Sequence, residues 1–185
     1  MNEHHFFTEQ FSSPIGTMLL LTDEHDVVRS LDWEDYSPRM HELIRLQYGS
    51  AKLETRDTIS PARRAIEAYY DGELSAIDTL PVKTEGTAFQ REVWAALRTI
   101  PTGKTTSYGR LAIQLGRPKA MRAVGMANGS NPISIIVPCH RVIGANATLT
   151  GYGGGLERKR WLLRHEGAWP QDALLVLPAR ASDAA

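Results

Sequence analysis

A single cysteine, Cys139, stands among 185 residues, and that sets the terms on which the chain can fold. One thiol makes no internal disulfide and no multi-thiolate zinc site, so the fold must rest on an apolar core. Hydrophobic residues at 42% and charged residues at 23% supply a core of ordinary globular size and exclude disordered and fibrous classes. The length suits one ordinary domain or two small ones. No apolar run approaches the roughly 20 residues of a membrane helix, and Met1-Asn2-Glu3-His4-His5 lacks the basic start of a secretory signal. A cytoplasmic protein without a membrane partner is expected. The His4-His5 pair reads as terminal and solvated.

The formal net charge of zero conceals a split. Residues 1–100 hold 10 Lys/Arg against 17 Asp/Glu, whereas residues 101–170 hold 10 against 2. A basic C-terminal part suits a polyanion such as nucleic acid. The alternative is that opposite charges face each other across a domain interface.

Three short β-rich runs open the chain: Phe6 to Phe11, Gly16 to Leu21 and Val27 to Trp33. A polar helix follows Ser37-Pro38 toward Tyr48. Ser60-Pro61 opens another, with Ser as N-cap and Pro in the first turn, ending near Gly72. Ala76 to Val82 reads as one more strand, and residues 83–86 as a linker. Thr87-x-x-Gln90 is a capping box ahead of Phe89, Val93, Trp94, Leu97 and Ile100 at helical spacing. Thr106 or Ser107 caps a short helix. Gly116-Arg117-Pro118 turns, and Lys119 to Asn128 forms a second helix with Arg122 in its middle. Helix, tight turn, helix is the helix-turn-helix pattern, which is weak by itself. The expected division is a scaffold domain over 1–86, a domain over 87–170 and a C-terminal tail over 171–185, whose end from Pro178 to Ala185 reads as frayed.

The chemistry concentrates in Ile135-Ile136-Val137-Pro138-Cys139-His140-Arg141-Val142-Ile143. Apolar β-branched runs flank a polar tetrapeptide, so Pro138 to Arg141 sits in a break between buried segments. A lone cysteine is as often a small buried hydrophobe as a nucleophile. A free thiol, with pKa about 8.5, is only a few per cent thiolate at neutral pH. A neighbouring imidazole that takes its proton, directly or through a water, supplies activation. Adjacent side chains of a strand point apart, so the backbone must turn here. Glu166 is one of two acids in the basic segment and could orient His140, or equally pair with Arg160 or Arg164. Thr150-Gly151-Tyr152-Gly153-Gly154-Gly155 is either a flexible connector or a loop that lets a planar ligand approach the backbone. Asn128-Gly129-Ser130-Asn131-Pro132 is a turn joining the second helix to the cysteine strand.

Pro138-Cys139-His140-Arg141-Val142-Ile143-Gly144, taken with Ser107-Tyr108-Gly109, Arg122-Ala123-Val124-Gly125, Asn131-Pro132, the Tyr152 loop and His165-Glu166-Gly167, resembles the methylated-DNA–protein-cysteine S-methyltransferases. These are also called O6-alkylguanine-DNA alkyltransferases. The match runs in order from about Thr87 to Gly167. Leu31-Asp32-Trp33-Glu34-Asp35-Tyr36-Ser37 and Ile77-Asp78-Thr79-Leu80-Pro81 extend it to the constitutive bacterial type, covering nearly the whole chain. The resemblance implies an N-terminal α/β domain with an antiparallel sheet of ribonuclease-H-like character. A mostly helical, winged-helix-like domain follows, with its helix-turn-helix in the minor groove.

The implied activity is suicidal repair of O6-alkylguanine, and of O4-alkylthymine, in double-stranded DNA by alkyl transfer to Cys139. Implied catalytic residues are Cys139, His140, Glu166, Tyr108 and Asn131. Arg122 would fill the space left by the flipped base, and Tyr108 would protonate the leaving guanine. Ala120, Met121, Ala123, Gly125, Val137, Arg141, Tyr152, Gly153 and Gly154 are the other implied DNA and substrate contacts. No cofactor and no metal are implied, and the expected state is a monomer, with cooperation along DNA left open. Met121 departs from the alanine of many relatives, and Gly153 from the serine of some. A lesion sensor without transfer, a transcription factor and a cysteine hydrolase are the rivals. The first lacks the nucleophile in its known form, the second leaves Cys139-His140 unexplained, and the third predicts repeated turnover without DNA.

Overall fold

The computed structural model describes residues 4–169, so the C-terminal tail over 171–185 and the frayed reading of Pro178 to Ala185 lie outside the described residues. The opening β-rich runs become β1 (His4–Ser13), β2 (Gly16–Thr22) and β3 (Val28–Trp33). They pair antiparallel, with Phe11 opposite Met18 and Leu20 opposite Leu31. A helix, α1 (Ser37–Tyr48), then crosses the sheet to β4 (Ala51–Thr55), which lies parallel to β1. The strand order is β3-β2-β1-β4, and the sheet is mixed where an antiparallel one was expected. The cause is the crossover itself: a helical connection returns the chain to the same end, so the next strand runs parallel. β4 carries Lys52 and Glu54 and is largely exposed, so no apolar alternation announces it. His4 and His5, expected to be solvated, begin β1 opposite Ala51 and Lys52.

Alternation along the strands sends successive side chains to opposite faces. Phe6 and Leu21 meet Met40, Ile44 and Tyr48 of α1 on one face. Phe11, Met18, Leu20, Leu31 and Trp33 point the other way into the main core. That core also takes Ile66 and Tyr69 from α2 (Pro61–Tyr70), where Ser60 caps by accepting from the Arg63 N–H at 3.1 Å. The expected strand at 76–82 is instead a series of turns that bury Ile77 and Leu80, and only Val82 bridges to Val28.

The second part is mainly helical. The capping box forms as expected and opens α3 (Ala88–Leu97). Ser107 caps α4 (Tyr108–Gln114), and Gly116 at φ +69° lets the chain turn toward α5 (Met121–Gly129). α6 (Leu156–His165) closes the described chain. Its Leu162 joins Val93, Trp94, Leu97, Leu111, Ile133 and Val137 in the same core cluster as the sheet residues. A two-residue parallel pair, β5 (Thr106–Ser107) with β6 (Val142–Ile143), ties the start of α4 to the segment after Cys139.

The cysteine segment is not a strand. Residues 133–137 coil in turns, and Cys139–Arg141 forms one turn of 3-10 helix. Pro138 offers no N–H to a ladder. The N–H groups of Ile136, Val137 and Cys139 bond locally to the carbonyls of Ser134, Ile133 and Val137. Ile135 sits at φ +69°, a strained setting for a β-branched residue. The edge of β3 holds this coil in place: the Leu31 N–H donates to Pro132 O at 3.0 Å, and the Ser134 N–H donates to Leu31 O at 2.9 Å. Among the described residues no helix is long and apolar enough to cross a membrane.

Candidate active site

Cys139 lies at the start of the 3-10 turn, 5% exposed. Its Sγ accepts a hydrogen bond from Asn131 Nδ2 at 3.1 Å. The same amide donates to Val137 O at 2.8 Å, and Asn131 Oδ1 accepts from the Ile133 N–H at 3.0 Å. One buried asparagine thus sets both the coil and the sulfur. Burial pushes the thiol's pKa up, while the Asn131 bond and the charges of Lys159 and Arg39 pull it down without cancelling that rise. The resting group is a neutral thiol.

The 3-10 turn carries His140 and Arg141 inward after Cys139, which no extended strand would do. His140 is fully buried, with Nε2 2.9 Å from Glu166 Oε1. Arg141 donates from Nε to Glu166 Oε2 at 2.8 Å and from Nη2 to Oε1 at 2.9 Å. Its remaining N–H groups reach Ile100 O at 2.6 Å and Thr102 Oγ1 at 3.1 Å. Arg141, expected among the DNA and substrate contacts, therefore faces the interior and serves the carboxylate. Of the partners the sequence offered, Glu166 meets His140, and it meets Arg141 as well. Burial alone would raise the Glu166 pKa, but His140 and Arg141 outweigh it and hold the carboxyl well below the usual carboxylate range. Burial depresses His140, and Glu166 only partly offsets that. The pair is carboxylate and neutral imidazole. The hydrogen-bond network assigns the proton to Nε2, which leaves Nδ1, a buried atom without a protein partner, as a lone-pair acceptor.

Tyr108 follows β5 directly, so the β5–β6 pair brings its ring beside the cysteine turn. Its hydroxyl accepts from Thr150 Oγ1 at 3.4 Å, and its ring packs beside Gly125 of α5, where a Cβ would sit at an ordinary contact distance of 3.8 Å. Burial raises the Tyr108 pKa, so its proton stays on. The Tyr152 loop lies on the sheet domain. A Cβ on Gly154 would strike the Trp33 ring, and one on Gly153 would come within 2.8 Å of the Arg39 guanidinium. Close approach, not mobility, is what these glycines supply. Val137 is buried in the core cluster behind the site. Arg122, Met121 and Ala123 are exposed on α5, with Ala120 half-buried at its start.

Lys159 and Arg39 also reach the site, though the sequence raised no expectation for either. Lys159 is fully buried and donates from Nζ to Val142 O at 2.6 Å and Thr150 O at 2.9 Å, clamping the glycine loop to β6. Burial lowers its pKa to about 8. A lysine at i, with Leu162 and Leu163 at i+3 and i+4, was the available signal, since it occupies the apolar stripe of α6. Arg39 of α1 donates to Asp32 Oδ2 at 2.5 Å, Gly129 O at 2.9 Å and Asn131 O at 3.0 Å. Its sequence neighbours give no hint of that reach. Among the described residues no group of three or more His, Cys, Asp and Glu could hold a metal ion.

Residues 88–168 match the family model described as 6-O-methylguanine DNA methyltransferase, DNA binding domain. The methylated-DNA–protein-cysteine methyltransferase of Shigella flexneri is 54% identical over 161 residues, 86% of this chain and 94% of that protein. The protein of that name from Salmonella typhimurium is 52% identical over the same shares. A crystal structure of Mycobacterium tuberculosis OGT in complex with DNA superposes with a TM-score of 0.72 at 44% identity, covering 89% of this chain and 93% of that one. Such identity, sustained over almost the full length of these relatives, shows that the chain belongs to the methylated-DNA–protein-cysteine methyltransferase family.

Proposed function

We propose that this protein repairs O6-alkylguanine, and O4-alkylthymine, in duplex DNA by moving the alkyl group irreversibly to Cys139. The observation that carries this reading is the relay beside the thiol: His140 is locked to Glu166 through Nε2, and Nδ1 keeps a buried lone pair. In the reaction, the Cys139 proton passes through a water to His140. The thiolate attacks the alkyl carbon, an S–C bond forms, and the C–O6 bond breaks. Its electron pair moves onto the guanine, which Tyr108 protonates at N3. The thioether product offers water no leaving group, so each molecule acts once.

The lesion must leave the base stack first, at a cost of a few kcal/mol, because O6 is unreachable inside paired DNA. In this reading α5 enters the minor groove with Ala120, Met121, Ala123 and Gly125, and Arg122 takes the vacated space. The extruded base rests against Tyr152, Gly153 and Gly154, with backbone groups near Val137 reading its edge. The Arg39 guanidinium lies where a side chain on Gly153 would point, so the loop offers its backbone to the base. The part over 1–86 acts as a ribonuclease-H-like scaffold and the part over 87–170 as a winged-helix-like acceptor domain. The protein works in the cytoplasm, as a monomer on DNA.

The test is a titration of O6-methylguanine duplex with wild type and Cys139→Ala. Repaired guanine should saturate at one equivalent of wild-type protein and be absent for Cys139→Ala, which should still bind the lesion. Product beyond one equivalent would overturn the reading.

A further inference from the structure

The N-terminal part of the chain places a hydroxyl inside the candidate site. Tyr69, in the last turn of α2, is fully buried and donates to Glu166 Oε1 at 2.9 Å. That oxygen is the one facing His140 Nε2 at 2.9 Å. The Tyr69 ring is wedged edge-on against Tyr70 at 5.6 Å and His165 at 5.0 Å, and its backbone carbonyl lies 2.7 Å from His165 Nε2. The hydroxyl therefore has a fixed aim. Burial and the Glu166 charge keep its proton on, so it can only donate to the carboxylate.

We propose that Tyr69 is a positioning residue for alkyl transfer: by donating to Glu166 Oε1 it shares that oxygen's charge with His140 and sets how readily His140 takes the Cys139 proton. This rests on the reading of His140 as proton acceptor given above. The groups facing the pair are few. Arg141 holds both Glu166 oxygens from the 3-10 turn, Tyr69 comes from α2, and Lys159 of α6 acts on His140 through its charge. His165 of α6 touches the outer side of Tyr69.

The sign follows from electrostatics. Without the Tyr69 donor, Oε1 carries more charge, the imidazolium form of His140 gains, and its pKa rises. Transfer needs neutral His140, so the acid limb of the rate moves to higher pH. The experiment is single-turnover methyl transfer from an O6-methylguanine duplex by the full chain across pH, comparing wild type, Tyr69→Phe and Tyr70→Phe. Tyr69→Phe should move the acid limb up by about one pH unit, the size expected for one charge-assisted hydrogen bond. It should also slow transfer severalfold near that limb. Tyr70→Phe should keep the wild-type limb, because the Tyr70 hydroxyl meets Met18 Sδ at 3.6 Å, not the carboxylate. Replacing Tyr69 by 3-fluorotyrosine, a stronger donor of nearly equal size, should move the limb down, and this reports even if the Phe variant folds poorly. A purely structural role would lower thermal stability and leave the limb in place. Coincident limbs for wild type and the Tyr69 variants would overturn the proposal. Failure of the wild type to transfer methyl at all would instead overturn the assigned reaction.

Discussion

Glu166 has no solvent-exposed side-chain surface and accepts from His140, Arg141 and Tyr69 at once. A buried carboxylate survives only when it is paired and fully hydrogen-bonded. Replacing it by Gln leaves Arg141 buried without its counter-charge, and stability should fall by about 3–5 kcal/mol. The pH dependence has a definite sign. The folded pKa lies below the ordinary 4.5, so the carboxylate contributes stability above that pH. The contribution is lost as pH falls from about 4.5 toward the folded pKa. Urea unfolding at two pH values should show wild type losing stability on acidification below 4.5 more steeply than Glu166→Gln. Equal slopes would contradict the assignment. At this scale the sequence was informative where chemistry is local: Cys139 next to His140 is visible in any reading. Glu166 was one acid with several candidate partners, and its choice is made by the 3-10 turn that sends His140 and Arg141 inward. Arg141 was misread because an arginine beside a nucleophile looks like a ligand contact until its five N–H groups are followed into the core.

α5 shows how an element can be legible while its neighbours are not. Its small residues, the Gly116 turn before it and the cap on α4 were readable, and the helix lies within two residues of its expected bounds. The capping box of α3 and the Ser60-Pro61 start of α2 were equally plain, since caps are local chemistry. The coil at 133–137 was not, because its β-branched run favours a strand and only the β3 edge and Asn131 override that preference. β4 was missed because an exposed edge strand needs no apolar pattern. Arg122 is exposed on this helix. If α5 opens the duplex and Arg122 fills the gap, Arg122→Ala should slow repair of O6-methylguanine duplex about tenfold, the rate equivalent of 1.4 kcal/mol of the flipping cost. Attack on free O6-benzylguanine should change little. Equal losses on the two substrates would remove Arg122 from the flipping step.

Across the whole molecule, the acidic and basic parts share one core, and the N-terminal part reaches the site through the β3 edge, Trp33, Tyr69 and Arg39. The charge split was legible in the sequence, but these contacts span up to about a hundred residues and leave no local signature. Arg39 of α1 ties the two parts together. Its guanidinium meets a buried Asp32 and the carbonyls on either side of Ser130, so Arg39→Ala should strip partners from all three. Calorimetry should show a loss of about 3 kcal/mol or more, with slower transfer, and an unchanged melting temperature would contradict the coupling. Everything in this reaction turns on Cys139 as the permanent acceptor. Intact-protein and peptide mass spectrometry after reaction with excess O6-methylguanine duplex measures it directly. One added methyl group per molecule is expected, located on Cys139 and absent from Cys139→Ala. Repaired DNA alongside unmodified protein, or a methyl on any other residue, would contradict it.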